Sequence, residues 1–310
     1  MAGHRGLVGR ALLRVLGAQG YDNLLLRSHD ELDLRNAEAT SAFFASERPE
    51  WVILAAAKVG GLGIMRSAPT EFLTDNLLIQ DSVLQAARQS GVRRLLFVAS
   101  SAIYPRECPQ PMREEHLLTG ELEPTVRPYA LAKIAGIEQC WAMNRQYGTQ
   151  FLALAPSNLY GPDDHFEPER SQVLASLLRK AHRAKLAGEA SMEVWGSGTP
   201  RRELLFADDF AEACVHLLGL PEERWAPLVA GEVLPLLNVG VGEDDTIREL
   251  AEMVCRVVGF TGRLEFDSSK PDGSPCKLLE CSGLSNLGWC SGVRLEDGLR
   301  RTYAAVRDRL

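Results

Sequence analysis

Gly3-His4-Arg5-Gly6-Leu7-Val8-Gly9 stands almost at the start of the chain and runs straight into the helical pattern Arg10 to Gln19. Glycines spaced this way, ahead of a helix, allow a tight turn and present backbone amides at the helix N-terminus, an arrangement that suits a pyrophosphate. The next apolar run, Leu24-Leu25-Leu26, ends in Arg27, where an acidic residue would hold a ribose 2′-hydroxyl. Arginine suits a 2′-phosphate instead, so Arg5 and Arg27 point to NADP(H) over NAD.

Outward from this turn, apolar strands alternate with helical patterns. Strands are expected at 24–27, 51–56, 94–99 and 151–156, with helices near 9–19, 37–46, 70–90 and 128–147. That alternation predicts right-handed βαβ units, and hence an α/β fold with a Rossmann-type doubly wound parallel sheet. Such a sheet wants an apolar first strand feeding the glycine turn at its centre, yet only Met1 and Ala2 precede Gly3. The expectation is a truncated or misplaced start, leaving unpaired backbone groups on both neighbours. After about residue 160 the pattern shifts to longer loops, with turns at Gly161-Pro162-Asp163-Asp164 and Pro271-Asp272-Gly273-Ser274-Pro275 bordering a ligand cleft. The expected division is a dinucleotide-binding domain over 1–160 with part of 203–240. A smaller α/β substrate lobe takes 161–202 and 241–310 and closes on a helix near 295–309.

Composition narrows the partners. With 310 residues, 45% of them apolar, the chain can bury a sizeable core. A formal net charge of −7 argues against nucleic acid or an anionic membrane. No apolar run reaches spanning length and no signal peptide is evident, which predicts a cytoplasmic protein. The seven cysteines (Cys108, Cys140, Cys214, Cys255, Cys276, Cys281, Cys290) form no C-x-x-C pair and no metal-ligand spacing. Reduced thiols and no metal are expected. The basic run Arg179–Lys185 reads most simply as a solvated helix face that could lend one cation to a phosphorylated ligand.

The densest chemical signal lies mid-chain. Val98-Ala99-Ser100-Ser101 reads as a buried strand ending in hydroxyls, and Pro128-Tyr129-Ala130-Leu131-Ala132-Lys133 as a helix start. Positions i and i+4 share a helix face, so the Tyr129 phenol and Lys133 ammonium can address one point. The cation is expected to lower the phenol pKa, and a strand-end hydroxyl can hold a carbonyl oxygen against the phenol. That constellation suits hydride transfer to or from a ketone.

Gly3–Gly9, Ala55-Ala56-Ala57-Lys58-Val59-Gly60-Gly61, Ser100-Ser101, Tyr129–Lys133 and Asn158-Leu159-Tyr160-Gly161-Pro162 together resemble the extended short-chain dehydrogenase/reductases. Within these the chain is similar to the GDP-L-fucose synthases, the GDP-4-keto-6-deoxymannose epimerase-reductases. Lys-Val-Gly-Gly, Trp195-Gly196-Ser197-Gly198-Thr199-Pro200, Asp208-Asp209 and Lys270-Pro271-Asp272-Gly273 carry that closer likeness. The resemblance implies Ser100, Tyr129 and Lys133 as the reductase triad. It implies NADP(H) held by Gly3, Arg5, Gly6, Leu7, Val8, Gly9, Arg27, Ala55, Ala57, Tyr129 and Lys133. Ser101, Asn158, Lys180, Trp195, Arg202 and Lys277 would handle a GDP-linked 4-keto-6-deoxy sugar. Lys180 stands in place of the usual arginine, so a bidentate clamp becomes a point charge; Trp195 could equally be core packing.

Two departures outweigh these matches. The family's epimerase base is a cysteine directly after the serine pair, and here that position is Ala102; its partner histidine is here Gln172. Protons at C3 and C5 flank the C4 ketone, and inverting those centres needs a base on one face and an acid on the other. Alanine cannot accept a proton and glutamine cannot usefully donate one. The resemblance then implies a C4 reductase without epimerisation, as in reductases that make GDP-6-deoxy-D-manno-heptose for capsule or lipopolysaccharide. Heptose is the first expectation and the hexose the next. The alternative is a complete GDP-L-fucose synthase rescued by Cys108 and His165, and a remote one is a non-catalytic NADP(H) sensor, which would have no use for the triad. The resemblance also implies a homodimer through helices 70–90 and 128–147, with Leu73, Leu77, Leu78 and Leu84 as an apolar stripe.

Overall fold

A computed structural model describes residues 1–168, 170–270 and 272–310, so Pro271, the first residue of one expected turn, lies outside the described residues. The glycine turn leads into α1 (Leu7–Ala18), followed by α2 (Ala37–Glu47), β1 (Trp51–Leu54), α3 (Leu62–Ser67), α4 (Pro69–Gln89), β2 (Arg94–Val98), α5 (Arg127–Tyr147) and β3 (Phe151–Pro156). The remainder runs β4 (Asn158–Tyr160), α6 (Val173–Ala187), β5 (Ser191–Trp195), β6 (Arg201–Arg202), β7 (Leu204–Phe206), α7 (Ala207–Leu218), α8 (Glu222–Val229) and β8 (Leu236–Val239). It ends with β9 (Asp245–Thr246), α9 (Ile247–Val258), β10 (Arg263–Asp267), α10 (Ser282–Asn286) and α11 (Leu295–Val306).

The central sheet has the order β1-β2-β3-β8, with every neighbour parallel. Its strands are mostly apolar, with Arg94 of β2 and Asn238 of β8 as buried polar exceptions, because helices cover both faces. One face packs on Leu12 and Leu16 of α1 and Phe210 and Leu217 of α7. The other packs on Val83 and Leu84 of α4 and Ile137 and Met143 of α5. Gly136 is what lets α5 sit so close to β2, since an added Cβ would lie 2.5 Å from the Phe97 ring. Of the leucines expected to stripe α4, Leu84 belongs wholly to this core, Leu73 and Leu77 are half-buried, and Leu78 is exposed.

The segment 24–27 is not a strand; residues 21–28 carry no regular structure. A strand persists only when a neighbour supplies a ladder. Among the described residues, Met1 and Ala2 lie between this segment and β1. Ala2 bridges Leu54, donating to the Ile53 carbonyl at 3.0 Å and accepting from the Ala55 amide at 3.1 Å. The Met1 ammonium donates to the Leu25 carbonyl at 3.0 Å. Those contacts hold the segment in place without making it part of the sheet.

The second half of the chain adds three two-stranded pairings, β5 with β10, β4 with β7, and β6 with β9, the last antiparallel. Leu177 and Leu178 of α6, Leu250 and Val254 of α9, and Leu299 of α11 form its core. A capping box starts α9: the Thr246 hydroxyl accepts from the Glu249 amide, and the Glu249 carboxylate accepts from the Thr246 amide. The basic run on α6 is more than a solvated face. The Lys185 ammonium donates to the Val258 carbonyl at 2.8 Å, and His182 Nδ1 lies 2.9 Å from the Tyr303 hydroxyl, tying α6 to its neighbours. All seven cysteines are free thiols. No helix among the described residues is long and apolar enough to cross a membrane.

Candidate active site

The glycine turn closes on backbone. Gly3 takes a φ of +88°, and an added Cβ would lie 2.6 Å from the Ala56 amide nitrogen; at Gly9 it would press on the Gly3 carbonyl and lie 2.5 Å from His4 Cα. Neither position admits a side chain. At Gly6 the nearest atom to an added Cβ would be the Gly3 carbonyl oxygen at 3.7 Å, so this glycine leaves room beside the helix start. Gly6 caps α1 without any side-chain bond to the first-turn amides. The positive end of the helix dipole and those amides therefore fit a dinucleotide pyrophosphate.

Arg5 is exposed beside this turn. Arg27 is not the lone cation its sequence position suggests. Its guanidinium donates to Glu47 Oε1 and to the Leu26 carbonyl, both at 2.8 Å, and sits 5.1 Å from the Phe43 ring. Ala55 and Ala57 follow β1, with Ala55 against the turn through its bond to Ala2. Buried Asn76 fixes the Lys58-Val59-Gly60-Gly61 loop: its amide oxygen accepts from the Lys58 N–H at 2.9 Å and its Nδ2 donates to the Lys58 carbonyl at 3.0 Å.

Just past the end of β2, Ser100 caps a short 3₁₀ turn over Ser101–Ile103, its hydroxyl accepting from the Ala102 amide at 3.2 Å. Tyr129 and Lys133 lie one turn apart on α5, both buried. The Ser100 side chain neighbours the Tyr129 phenol. Burial pushes that phenol up to about 12, against the weaker opposing pull of Ser100. Burial also pulls the Lys133 ammonium down to about 7. Its Nζ donates to the Val98 carbonyl at 2.7 Å and lies 4.7 Å from the Phe97 ring and 5.8 Å from the Tyr129 ring. The expected lowering of the phenol by its neighbouring cation is therefore not what this site shows. Burial is the leading influence on both groups, raising the phenol and lowering the ammonium. A phenol held near 12 stays protonated at neutral pH, which is the form that donates a proton.

In the second half of the chain, Arg202 donates to the Arg201 and Ser274 carbonyls at 2.6 and 2.7 Å, and burial lowers its pKa. Lys277 is pushed down to about 8 by burial and by the neighbouring Arg202 charge, with Glu123 opposing. Two desolvated cations side by side repel, and an anion between them reverses that penalty. Half-buried Asn158 opens β4 beside them, its amide donating to the Glu203 carbonyl at 3.3 Å. Ser101 is buried in the 3₁₀ turn. Trp195 is 63% exposed, which removes the core-packing reading. Its ring lies 5.2 Å from Lys180 Nζ and 5.5 Å from Lys270 Nζ, while its indole N–H donates to Glu193 Oε1 at 2.6 Å. Lys180 itself donates to the Glu193 carbonyl at 3.1 Å.

Of the two residues expected in place of the epimerase pair, Ala102 sits in the turn capped by Ser100, and Gln172 caps α6 without a side-chain bond. The two candidate substitutes are engaged separately. Cys108 Sγ lies 3.3 Å from His116 Nδ1, which also accepts from the Arg113 amide at 3.1 Å, and burial raises the thiol pKa. His165 is partly exposed and pairs with Glu167 at 3.6 Å.

Sequence reasoning passed over two groups. Glu203, directly after Arg202, is fully buried, and a carboxylate opening the apolar run Leu204-Leu205-Phe206 was the signal that could have found it. Arg14 joins Asp163 and Asp208 at 2.5 and 2.6 Å, linking α1 to the loop after β4 and to the start of α7. No spacing in the chain announces that second contact.

Residues 1–229 match the model of the NAD dependent epimerase/dehydratase family. The chain is 49% identical over 303 residues to the GDP-L-fucose synthase of Escherichia coli K12, covering 98% of this chain and 94% of that protein. Among solved structures it is similar to a GDP-6-OMe-4-keto-L-xylo-heptose reductase from C. jejuni, with TM-score 0.91 and 34% identity over 100% of this chain and 97% of the other. It is also similar to MlghC, a GDP-mannoheptose C4 reductase from Campylobacter jejuni with NADP bound, with TM-score 0.89 and 35% identity over 99% and 96% of the two chains.

Proposed function

The chain belongs to the NAD dependent epimerase/dehydratase family, and from that premise we propose a GDP-sugar C4 reductase that does not epimerise C3 or C5. It is an NADP-dependent oxidoreductase of the extended short-chain dehydrogenase/reductase type. One observation carries the narrower reading: Ser100, Tyr129 and Lys133 stand together while Ala102 and Gln172 occupy the positions of the epimerase base and acid. The substrate favoured is GDP-6-deoxy-4-keto-D-manno-heptose, supported by the likeness to the two heptose reductases. The corresponding hexose is next.

Residues 1–160 with part of 203–240 would hold the cofactor, and 161–202 with 241–310 the nucleotide sugar. NADPH, when bound, supplies the hydride that reaches C4. Gly3, Gly6 and Gly9 would hold its pyrophosphate at the start of α1, Arg5 and Arg27 would bind its 2′-phosphate, and Ala55 and Ala57 would line the same site. Ser100 orients the C4 carbonyl oxygen, and Tyr129 gives that oxygen its proton, leaving an alcohol and a transient phenolate. The Lys133 ammonium, one helix turn away, stabilises that phenolate by its charge until the phenol is reprotonated from solvent. Arg202 and Lys277 bind the diphosphate, with Lys180, Trp195, Asn158 and Ser101 along the rest of the ligand. The exposed Leu78 and Leu131, on α4 and α5, support pairing of two copies in a cytoplasmic homodimer.

The likeness to GDP-L-fucose synthase at 49% identity favours a second reading, with both epimerase and reductase activity. Turnover with NADPH and GDP-4-keto-6-deoxymannose in deuterated water, with products read by NMR, separates the two. Reduction without deuterium at C3 or C5 supports the reductase. Deuterium at those carbons with GDP-L-fucose formed sinks it. The heptose analogue in the same assay then ranks the two sugars.

A further inference from the structure

We propose that Glu203 is a positioning residue that sets Arg202 and Lys277 for the diphosphate of the nucleotide sugar, resting on the reading of those two cations as the diphosphate site. Glu203 is fully buried, yet it forms no ion pair among the described residues. Its carboxylate instead collects backbone amides from two other segments. Oε1 accepts from Val241 and Gly242, at 2.5 and 2.8 Å, in the loop after β8. Oε2 accepts from Leu279 at 2.8 Å, two residues beyond Lys277. The Glu203 amide donates to the Lys277 carbonyl at 3.3 Å, so one residue grips the Lys277 segment through both main chain and side chain.

Successive residues of an extended chain point to opposite sides. Glu203 reaches into the interior toward Val241, while Arg202, its immediate neighbour, reaches the Arg201 and Ser274 carbonyls. Two cations that repel each other hold their places only if the backbone beneath them is fixed. Charge-assisted bonds from amides to a buried carboxylate are strong and directional, and they supply that fixation. Gly240 completes the seat, because an added Cβ there would collide with the Glu203 carboxylate.

The test compares Glu203→Gln, Gly240→Ala and Arg202→Met with the unaltered enzyme, measuring GDP affinity, NADPH affinity, KM and kcat. An amide cannot accept from every amide group that the carboxylate holds, so one N–H is left facing a donor. The expected result for Glu203→Gln is a rise of about tenfold in KM and in the Kd for GDP, with kcat within about threefold. NADPH affinity stays at the wild-type value, and Gly240→Ala gives the same split. Unchanged GDP affinity in Glu203→Gln, with weakened affinity in Arg202→Met, overturns the role of Glu203 and leaves the diphosphate site standing. Joint loss of GDP and NADPH binding assigns Glu203 to general stability and also overturns it. GDP affinity unaltered by Arg202→Met removes the diphosphate reading itself, and this inference with it.

Discussion

The Lys133 ammonium donates to the Val98 carbonyl at 2.7 Å, joining α5 to the end of β2 two residues ahead of Ser100. This bond locks the helix turn that bears Tyr129 against the strand end that bears the serine. It also explains why Lys133 is wholly buried and pulled toward neutrality, since one carbonyl dipole offsets only part of the desolvation cost.

Removing the phenol should stop reduction while leaving the cofactor site intact. Tyr129→Phe is expected to lower kcat by about 10²–10⁴-fold, the range associated with losing a positioned general acid. NADPH affinity, measured by fluorescence titration, should change little. A kcat within threefold of wild type would show that another group delivers the proton.

Restoring the epimerase pair is the reverse experiment. Ala102→Cys together with Gln172→His should introduce deuterium at C3 or C5 when turnover runs in deuterated water, where the parent enzyme introduces none. The expected gain is partial, because a proton-transfer pair needs placement to a fraction of an ångström. Deuterium in the parent product at the same level would contradict the loss of epimerisation.

Lys133 makes stability depend on pH in a defined sense. Its folded pKa of about 7 lies below the ordinary 10.5, so between those values the unfolded chain binds more protons than the folded one. Stability contributed by this group therefore rises as pH rises from about 7 toward 10.5, and the penalty is complete below 7. Denaturant unfolding of wild type and Lys133→Met should diverge across this window, with the wild type gaining relative to the variant as pH rises. Parallel curves would show that the ammonium is solvated.

Lys277 gives the ligand a pH dependence. Its pKa of about 8 means the free protein loses this cation as pH rises through that value. Calorimetric GDP affinity should fall between pH 7 and 9, approaching about tenfold per pH unit at the upper end, the limit for one proton. In Lys277→Met the curve should be flat and the affinity weaker throughout. A wild-type affinity that does not respond to pH would place the diphosphate away from Lys277.

Gly9→Ala tests the turn. An added methyl presses on the Gly3 carbonyl and the His4 backbone, both parts of the tight loop, so the loop must open. NADPH affinity should fall by at least about tenfold, roughly 1.4 kcal/mol, while GDP affinity stays the same. Equal loss of both would mean the methyl damages the fold as a whole.

Hydrophobic periodicity by itself determined the parallel sheet and the helices expected near 37–46, 70–90 and 128–147, and glycine spacing the tight turn ahead of α1, because each is a local pattern in the chain. The strand expected at 24–27 did not form because a strand depends on a ladder partner, whereas Met1 meets this segment through a bond from its ammonium to the Leu25 carbonyl. Only the tertiary structure decided that Lys133 bonds to Val98, that Arg27 pairs with Glu47, that Cys108 meets His116, and that Glu203 anchors the Lys277 segment. Burial depth and partners distant in sequence set the charge state and aim of a side chain. Both come from how the layers pack, and the order of residues does not state them.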